Sequence, residues 1–211
     1  MTALKVEEIF FRDVYRQICL LTGTVVGAVK LRDVFEFPPD EKLDGLLAYA
    51  TIDGEAFGFE ILAGAQIVGN RIKIFPGSYK KICRLKRAEV DAEIRIVTAE
   101  YALPFRDRMA MIDDRIASAR EDTRRIKTLD AFRHPDYPDD VVVYFFGTDA
   151  RPELLWVRCN SVDENILTGE LLNEPRNDFG CHAGDVVKFG VAQVNGQNIL
   201  LHLPKEDSSR A

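Results

Sequence analysis

The chain has 211 residues, of which 46% are apolar and 29% are charged, with a formal net charge of −6 and a pI near 5.2. This balance is typical of a globular protein and excludes wholesale disorder. The acidic mean charge disfavours nucleic acid as a partner, because a phosphate backbone would be repelled unless a local basic patch overrode that field.

The N-terminus and the cysteines bear on localisation. Met1 to Glu8 ends in two acids, where an export signal needs a basic region followed by an apolar stretch. The longest apolar runs, such as Val141 to Gly147, are far shorter than a membrane span. The four cysteines are scattered without a C-x-x-C pair, which favours free thiols. We expect a cytoplasmic protein with no membrane partner.

An amphipathic helix is predicted over Val6 to Leu21, since apolar residues recur there at spacings of three and four. Gly23 follows as a stop signal. The stretch 24–37 is rich in Val and Phe and is predicted to be extended until Pro38 and Pro39 end it.

Two hairpins and a further strand are predicted next. Asp53-Gly54 lies between two apolar arms, and Asp-Gly supplies the positive φ angles of a tight turn. Gly69-Asn70 suggests a second hairpin over 66–75, and residues 90–96 alternate as a strand. Residues 1–104 are therefore predicted to form a helix packed on a mostly antiparallel sheet.

Residues 105–133 are predicted to form a long connecting helix, because over 106–132 apolar residues step by three and four among charges. The favoured interpretation docks this seam on the sheet of its own chain. The alternative is a two-stranded coil that makes a homodimer through 106–132. The seam consists of Met109, Ile112, Ile116, Ala119, Thr123 and Ile126.

Residues 134–204 are predicted to form a small β-module. His134 to Asp140, with two prolines and three acids, indicates an ordered turn. Five short, evenly spaced strands then favour a small barrel-like module or a tightly curled sheet, and 205–211 are expected to form a polar tail. The fold class is thus α+β. The predicted strands are Val141–Phe146, Leu154–Cys159, Ile166–Leu172, Val186–Val191 and Ile199–Leu203.

The motifs of this last third carry a family resemblance. Trp156-Val157-Arg158, then Leu167 to Pro175, then Gly184 to Phe189 resemble a bacterial family of uncharacterised proteins, domain-of-unknown-function family twenty-three fourteen. Its members show W-V-R/K, T-G, L-x-N-x-P and G-D-x-V-x-F at similar intervals. Similar bacterial domains often occur among toxin-neutralising immunity proteins, so the resemblance implies binding by analogy.

Catalytic and metal-binding chemistry is weakly signalled. Cys181-His182 with Cys159 is the best metal or nucleophile candidate, but adjacent ligands diverge and no spaced second pair exists. His202 is expected to be a strand residue with one satisfied hydrogen bond. Phosphate-loop, dinucleotide and hydrolase motifs are absent from the sequence, so we predict no metal and no cofactor.

A basic cluster, Lys80 to Arg87, is interleaved with apolar residues. Such a cluster on a curled sheet can bind single-stranded nucleic acid, but the interpretation as a solvated face is favoured. Nucleic acid is therefore the least favoured partner.

The predicted partner-binding residues are a loop and the tryptophan beside it. The loop leaves a strand, is stiffened by Pro175 and presents both charge signs. It is either a turn with an internal ion pair or a partner-binding edge. The predicted function is non-catalytic protein binding, by an immunity-type protein that neutralises a basic toxin; the alternatives are an enzyme with a motif-free site and a nucleic-acid reader. The predicted partner-binding residues are Trp156, Asn173, Glu174, Pro175 and Arg176.

Overall fold

The computed structural model has a mixed α and β fold composed mostly of strands. The chain divides into two compact units, Met1–Ile116 and Ala117–Ala211. This division lies inside the segment predicted to be a connecting helix. The structure describes residues 4–23, 42–76, 83–116, 118–147 and 151–204.

The first unit is built on an antiparallel sheet, which confirms that part of the predicted fold. A buried apolar cluster covers each face of the sheet. Within the described residues its strands are β1 (Leu4–Lys5), β2 (Ile18–Thr22), β3 (Gly45–Asp53), β4 (Ala56–Val68), β5 (Arg71–Pro76), β6 (Arg84–Lys86) and β7 (Glu93–Ile96). They lie in the order β1-β7-β2-β3-β4-β5, and β6 also pairs with β4.

Both predicted hairpins are confirmed. Strands β3 and β4 pair antiparallel across a turn in which Gly54 has a φ of +66°, and β4 and β5 pair across Gly69, with a φ of +59°. Glycine is favoured at both turns because it adopts positive φ at no steric cost. Strand β7 lies within the predicted 90–96 strand.

The helix predicted over Val6 to Leu21 is wrong. This segment forms a 3-10 turn at Val6–Glu8, the short helix α1 at Phe11–Val14 and then β2. Strand β2 lies between β7 and β3 and is covered on both faces, so its apolar residues do not alternate with polar ones. A continuous apolar run cannot be assigned to strand or helix by period alone. The predicted extension over 24–37 lies outside the described residues.

The single long helix predicted over 106–132 is also not found. The segment contains helix α2 at Arg106–Asp113, helix α3 at Ser118–Arg125 and a 3-10 helix at Lys127–Phe132. Its seam divides between two cores, because Ile112 is buried in the first unit and Ile126 packs against the core of the second. The homodimer stays a prediction. It cannot form through one continuous coiled coil over 106–132, because that segment is divided into three short helices.

The second unit is a closed five-stranded barrel, as predicted. Neighbouring strands are antiparallel except where β12 meets β8. Five strands joined in succession by antiparallel turns leave the first and last pointing the same way, so closure must be parallel. Its strands are β8 (Asp140–Phe145), β9 (Glu153–Asp163), β10 (Ile166–Leu171), β11 (Val186–Val194) and β12 (Gln197–Leu203), in the order β10-β11-β12-β8-β9.

The interior of the barrel is filled by alternate side chains of its strands. On β8, Val141, Val143 and Phe145 are fully buried, so the intervening Val142 and Tyr144 point outward. This alternation fixes which residues of each strand are available on the outer surface.

Candidate partner-binding surface of the barrel

The outer surface of the barrel is apolar across three neighbouring strands. Tyr144 lies opposite Leu154 of β9 and opposite Leu201 of β12. The Tyr144 and Phe146 rings stack with centroids 5.9 Å apart. Leu154 is 53% exposed and Phe146 is 48% exposed. We call the following residues the outer apolar face: Tyr144, Phe146, Leu154, Trp156, Leu201 and Leu203.

Trp156 belongs to this face and not to the barrel core. Its neighbours Leu155 and Val157 are buried, whereas Trp156 is half-buried on the opposite side of β9. The Trp156 and His134 rings meet in a T-shaped arrangement, with centroids 5.4 Å apart, and His134 contacts Tyr137. The strand alternation that buries Leu155 and Val157 inside necessarily turns Trp156 outward.

The loop that follows β10 is fastened to β9 at its start. The Asn173 side-chain oxygen accepts the Trp156 backbone N–H at 2.9 Å. The Glu153 carboxylate accepts the backbone N–H groups of Arg176 at 3.0 Å and Asn177 at 2.8 Å, and it also contacts the Asn177 side-chain amide. The backbone N–H of Arg176 is the main cause that lowers the pKa of Glu153. Sequence analysis missed Glu153, because its loop partners lie more than twenty residues away.

A second clamp fastens the far part of the loop. Glu174 Oε1 lies 2.8 Å from His182 Nδ1, and Glu174 Oε2 accepts the Ala183 backbone N–H at 2.9 Å. The hydrogen bond to His182 lowers the pKa of Glu174 and raises the pKa of His182. One of the two interpretations of the loop was a turn with an internal ion pair. In the structure the partner of Glu174 is His182, which lies outside residues 173–176.

A pocket of about 360 Å³ lies between β9 and this loop. Three of the five predicted partner-binding residues line it. Trp156 adjoins it through its bond to Asn173, and Pro175 is half-buried in the loop. The pocket combines apolar side chains with two carboxylates and one guanidinium. The lining residues are Glu153, Leu154, Leu155, Asn173, Glu174 and Arg176.

The cysteine and histidine candidates do not converge. Cys159 is buried in the barrel core, where burial raises its pKa to about 12. Cys181 packs against the barrel core, while the side chain of its neighbour His182 is 81% exposed. Within the described part of the chain, no group of three or more His, Cys, Asp or Glu residues is placed to hold a metal ion.

His202 differs from its prediction. It is buried inside the barrel and stacks on Phe145, with ring centroids 4.3 Å apart. Its Nδ1 is buried and has no hydrogen-bond partner among the described residues, so the expected satisfied hydrogen bond is not seen at that atom. Burial lowers the pKa of His202, which favours its neutral form.

In the first unit, charged residues fasten α2 to the sheet. Glu60 on β4 is 1% exposed and accepts hydrogen bonds from Arg115 at 2.8 Å and Arg108 at 3.4 Å. The Tyr49 hydroxyl donates to Asp113 at 3.0 Å, and burial is the main cause that raises the pKa of Tyr49. A buried carboxylate paired with two guanidiniums is accounted for by the docking of the helix.

The predicted basic cluster lies partly outside the described residues, which resume at Cys83. Among its described members, Arg84 Nη2 donates to the Ala56 carbonyl at 2.5 Å and Arg87 Nη2 to the Glu7 carbonyl at 2.6 Å. Because the Arg84 and Arg87 guanidiniums donate to backbone carbonyls of the same unit, we assign them a structural role.

Comparison of the chain with protein-family models, with curated proteins and with solved structures finds no match. The resemblance of the last third to the uncharacterised bacterial family therefore stays a prediction. Among the described residues, no helix is both long enough and apolar enough to cross a membrane.

Proposed function

We propose that this chain is a non-catalytic protein-binding protein that docks a partner on the outer apolar face of its barrel. The observation that carries the proposal is the exposure of Leu154 on β9 and of Phe146, which directly follows β8, on either side of Tyr144. Contiguous exposed apolar surface on a folded protein is typical of an interaction site. Aromatic residues are also enriched at the centres of protein interfaces.

The pocket beside this face supports binding over acid–base catalysis. A general acid at neutral pH needs a carboxyl group with a raised pKa. Hydrogen bonds lower the pKa of both Glu153 and Glu174, so both stay ionised. Their oxygens hold the loop in place, which gives a partner a preformed wall. An enzyme with a motif-free site is the alternative that this chemistry disfavours.

The particular partner we propose is a basic toxin, neutralised by an immunity-type protein in the bacterial cytoplasm. The support is the acidic net charge of −6, together with the family resemblance of residues 156–189. A cytoplasmic setting also agrees with the free thiols, since the cytosol keeps cysteines reduced. A partner of opposite charge would associate faster at low salt than at high salt.

The test removes apolar surface from the face. Leu154→Ser should abolish recovery of the partner when tagged chain is cross-linked and purified from the cells that naturally produce it. Met111→Ser is the matched control, because Met111 is 69% exposed in the first unit. The proposal expects one dominant protein with the wild type and with Met111→Ser. Equal recovery of that protein by Leu154→Ser would contradict docking on this face.

A further inference from the structure

The pocket between β9 and the loop has unused hydrogen-bond acceptors. An ionised carboxylate offers about four lone-pair sites. Within the described residues, Glu174 uses two of them, for His182 and the Ala183 N–H. Glu153 uses three, for the Arg176 N–H and two donors of Asn177. Both carboxylates can therefore accept further hydrogen bonds from a guest.

The charge of the lining favours a cationic guest. Two carboxylates face one guanidinium, that of Arg176, so the lining residues carry a net negative charge; His182, the partner of Glu174, lies outside the lining. The surrounding sequence has the same bias, with seven acids against four bases over residues 151–204. An ammonium or guanidinium group placed here would gain favourable Coulomb energy, reduced by the water that reaches the exposed Glu174 carboxylate.

The pocket is continuous with the outer apolar face. Leu154 both lines the pocket and belongs to the face, where it lies opposite Tyr144. Phe146 stacks on Tyr144 and is half exposed. A guest that places a cation in the pocket would therefore bring its neighbouring side chain onto these apolar residues.

Resting on the proposed function, we infer that the partner presents a lysine or arginine to the pocket of Glu153 and Glu174, next to an apolar side chain on Leu154 and Phe146. The occupant is thus a cationic, apolar segment of another protein. A second copy of this chain and a purely apolar segment are the competing occupants.

The experiment selects a library of random 12-residue peptides displayed on phage against the full-length chain, with Leu154→Ser as the counter-selection. We expect enriched sequences with Lys or Arg beside Leu, Ile, Phe or Trp. Enrichment of apolar peptides without a basic residue would overturn this inference and leave the proposed function standing. A failure to enrich any peptide that depends on Leu154 would count against both.

The charge contribution is then measured on the best peptide by calorimetric titration. Glu174→Gln should weaken binding roughly fivefold, because it removes the negative charge nearest the cation while keeping the size of the side chain. Glu170→Gln, at an exposed acid on β10, is the control and should leave the Kd unchanged. An equal loss in both variants, or none in Glu174→Gln, would contradict a cation in the pocket.

A second copy as the occupant is tested by sedimentation of the wild-type chain. We expect the same sedimentation behaviour for the wild type and Leu154→Ser without peptide. A wild-type dimer that dissociates in Leu154→Ser would assign the face to self-association and overturn the inference.

Discussion

At the residue scale, a buried ion pair holds α3 against the barrel. Arg124 Nε donates to Asp139 Oδ1 at 2.9 Å, and Arg124 Nη2 donates to Oδ2 at 2.7 Å. Both side chains are at most 3% exposed. Arg133 is buried alongside and donates to the carbonyls of Pro138 and Thr123. The two-point geometry compensates for part of the cost of taking these charges out of water.

Removing one partner of this pair should destabilise the barrel strongly. Asp139→Asn removes the buried counter-charge of Arg124 and leaves it with Glu121, at 2.7 Å, so the expected loss is about 3 kcal/mol. The exposed pair Asp122–Arg125 provides the control, and Asp122→Asn should cost at most about 1 kcal/mol. Urea unfolding followed by the fluorescence of Trp156, the single tryptophan, measures both. Similar losses of unfolding free energy in the two variants would show that burial does not determine how much the Arg124–Asp139 pair contributes to stability.

At the element scale, the number of buried faces decided which strands could be predicted. Strand β2 is apolar at every position from Ile18 to Leu21 because both of its faces are covered. The barrel strands β8 and β9 bury alternate residues, and their period of two made them predictable. Strand β10 departs from regular pairing at Thr168 and Gly169, where the register with β9 shifts.

The close approach at this irregularity demands glycine. A Cβ at Gly169 would lie 2.4 Å from the Arg158 carbonyl oxygen and 2.7 Å from a Val157 methyl. Gly169→Ala should therefore destabilise the barrel by about 1–3 kcal/mol through overpacking. Gly190→Ala is the control, because the nearest atom to its Cβ would be 3.6 Å away. Thermal unfolding of both variants tests this, and a tolerated Gly169→Ala would mean that the strands separate easily there.

At the scale of the whole molecule, each of the two units has its own core. The residues before the barrel strands contribute to the second core, since Leu129 is fully buried in it and Arg124 pairs with Asp139. The barrel unit is thus more than its five strands. A fragment that omits both α3 and the 3-10 helix at Lys127–Phe132 loses both contributions.

Two fragments should distinguish these limits. Residues 117–211 should unfold cooperatively in urea with the Trp156 emission of the full chain. Residues 134–211 should not, because losing Leu129 and the Arg124 pair removes several kcal/mol, a large share of the roughly 5–15 kcal/mol that stabilises a domain. Equal unfolding curves would show that the strands alone suffice.

The barrel, the antiparallel sheet and both hairpins could be predicted from sequence, because turn residues and alternation are local signals. The helices over Val6 to Leu21 and over 106–132 were mispredicted, because the spacing of apolar residues does not show which other segments pack against them. Of the candidate site, Asn173, Glu174 and Arg176 were named from loop chemistry and line the pocket. Glu153 was not, because no local pattern marks a carboxylate that binds a distant backbone.

The sequence by itself determined where strands and turns of the barrel would form, since those signals lie within a few residues of each other. Only the tertiary structure decided that Trp156 faces outward, that Glu174 pairs with His182 and that the seam of 106–132 serves two cores. The physical reason is that burial and pairing depend on which distant segments meet, and a one-dimensional pattern does not encode those distances.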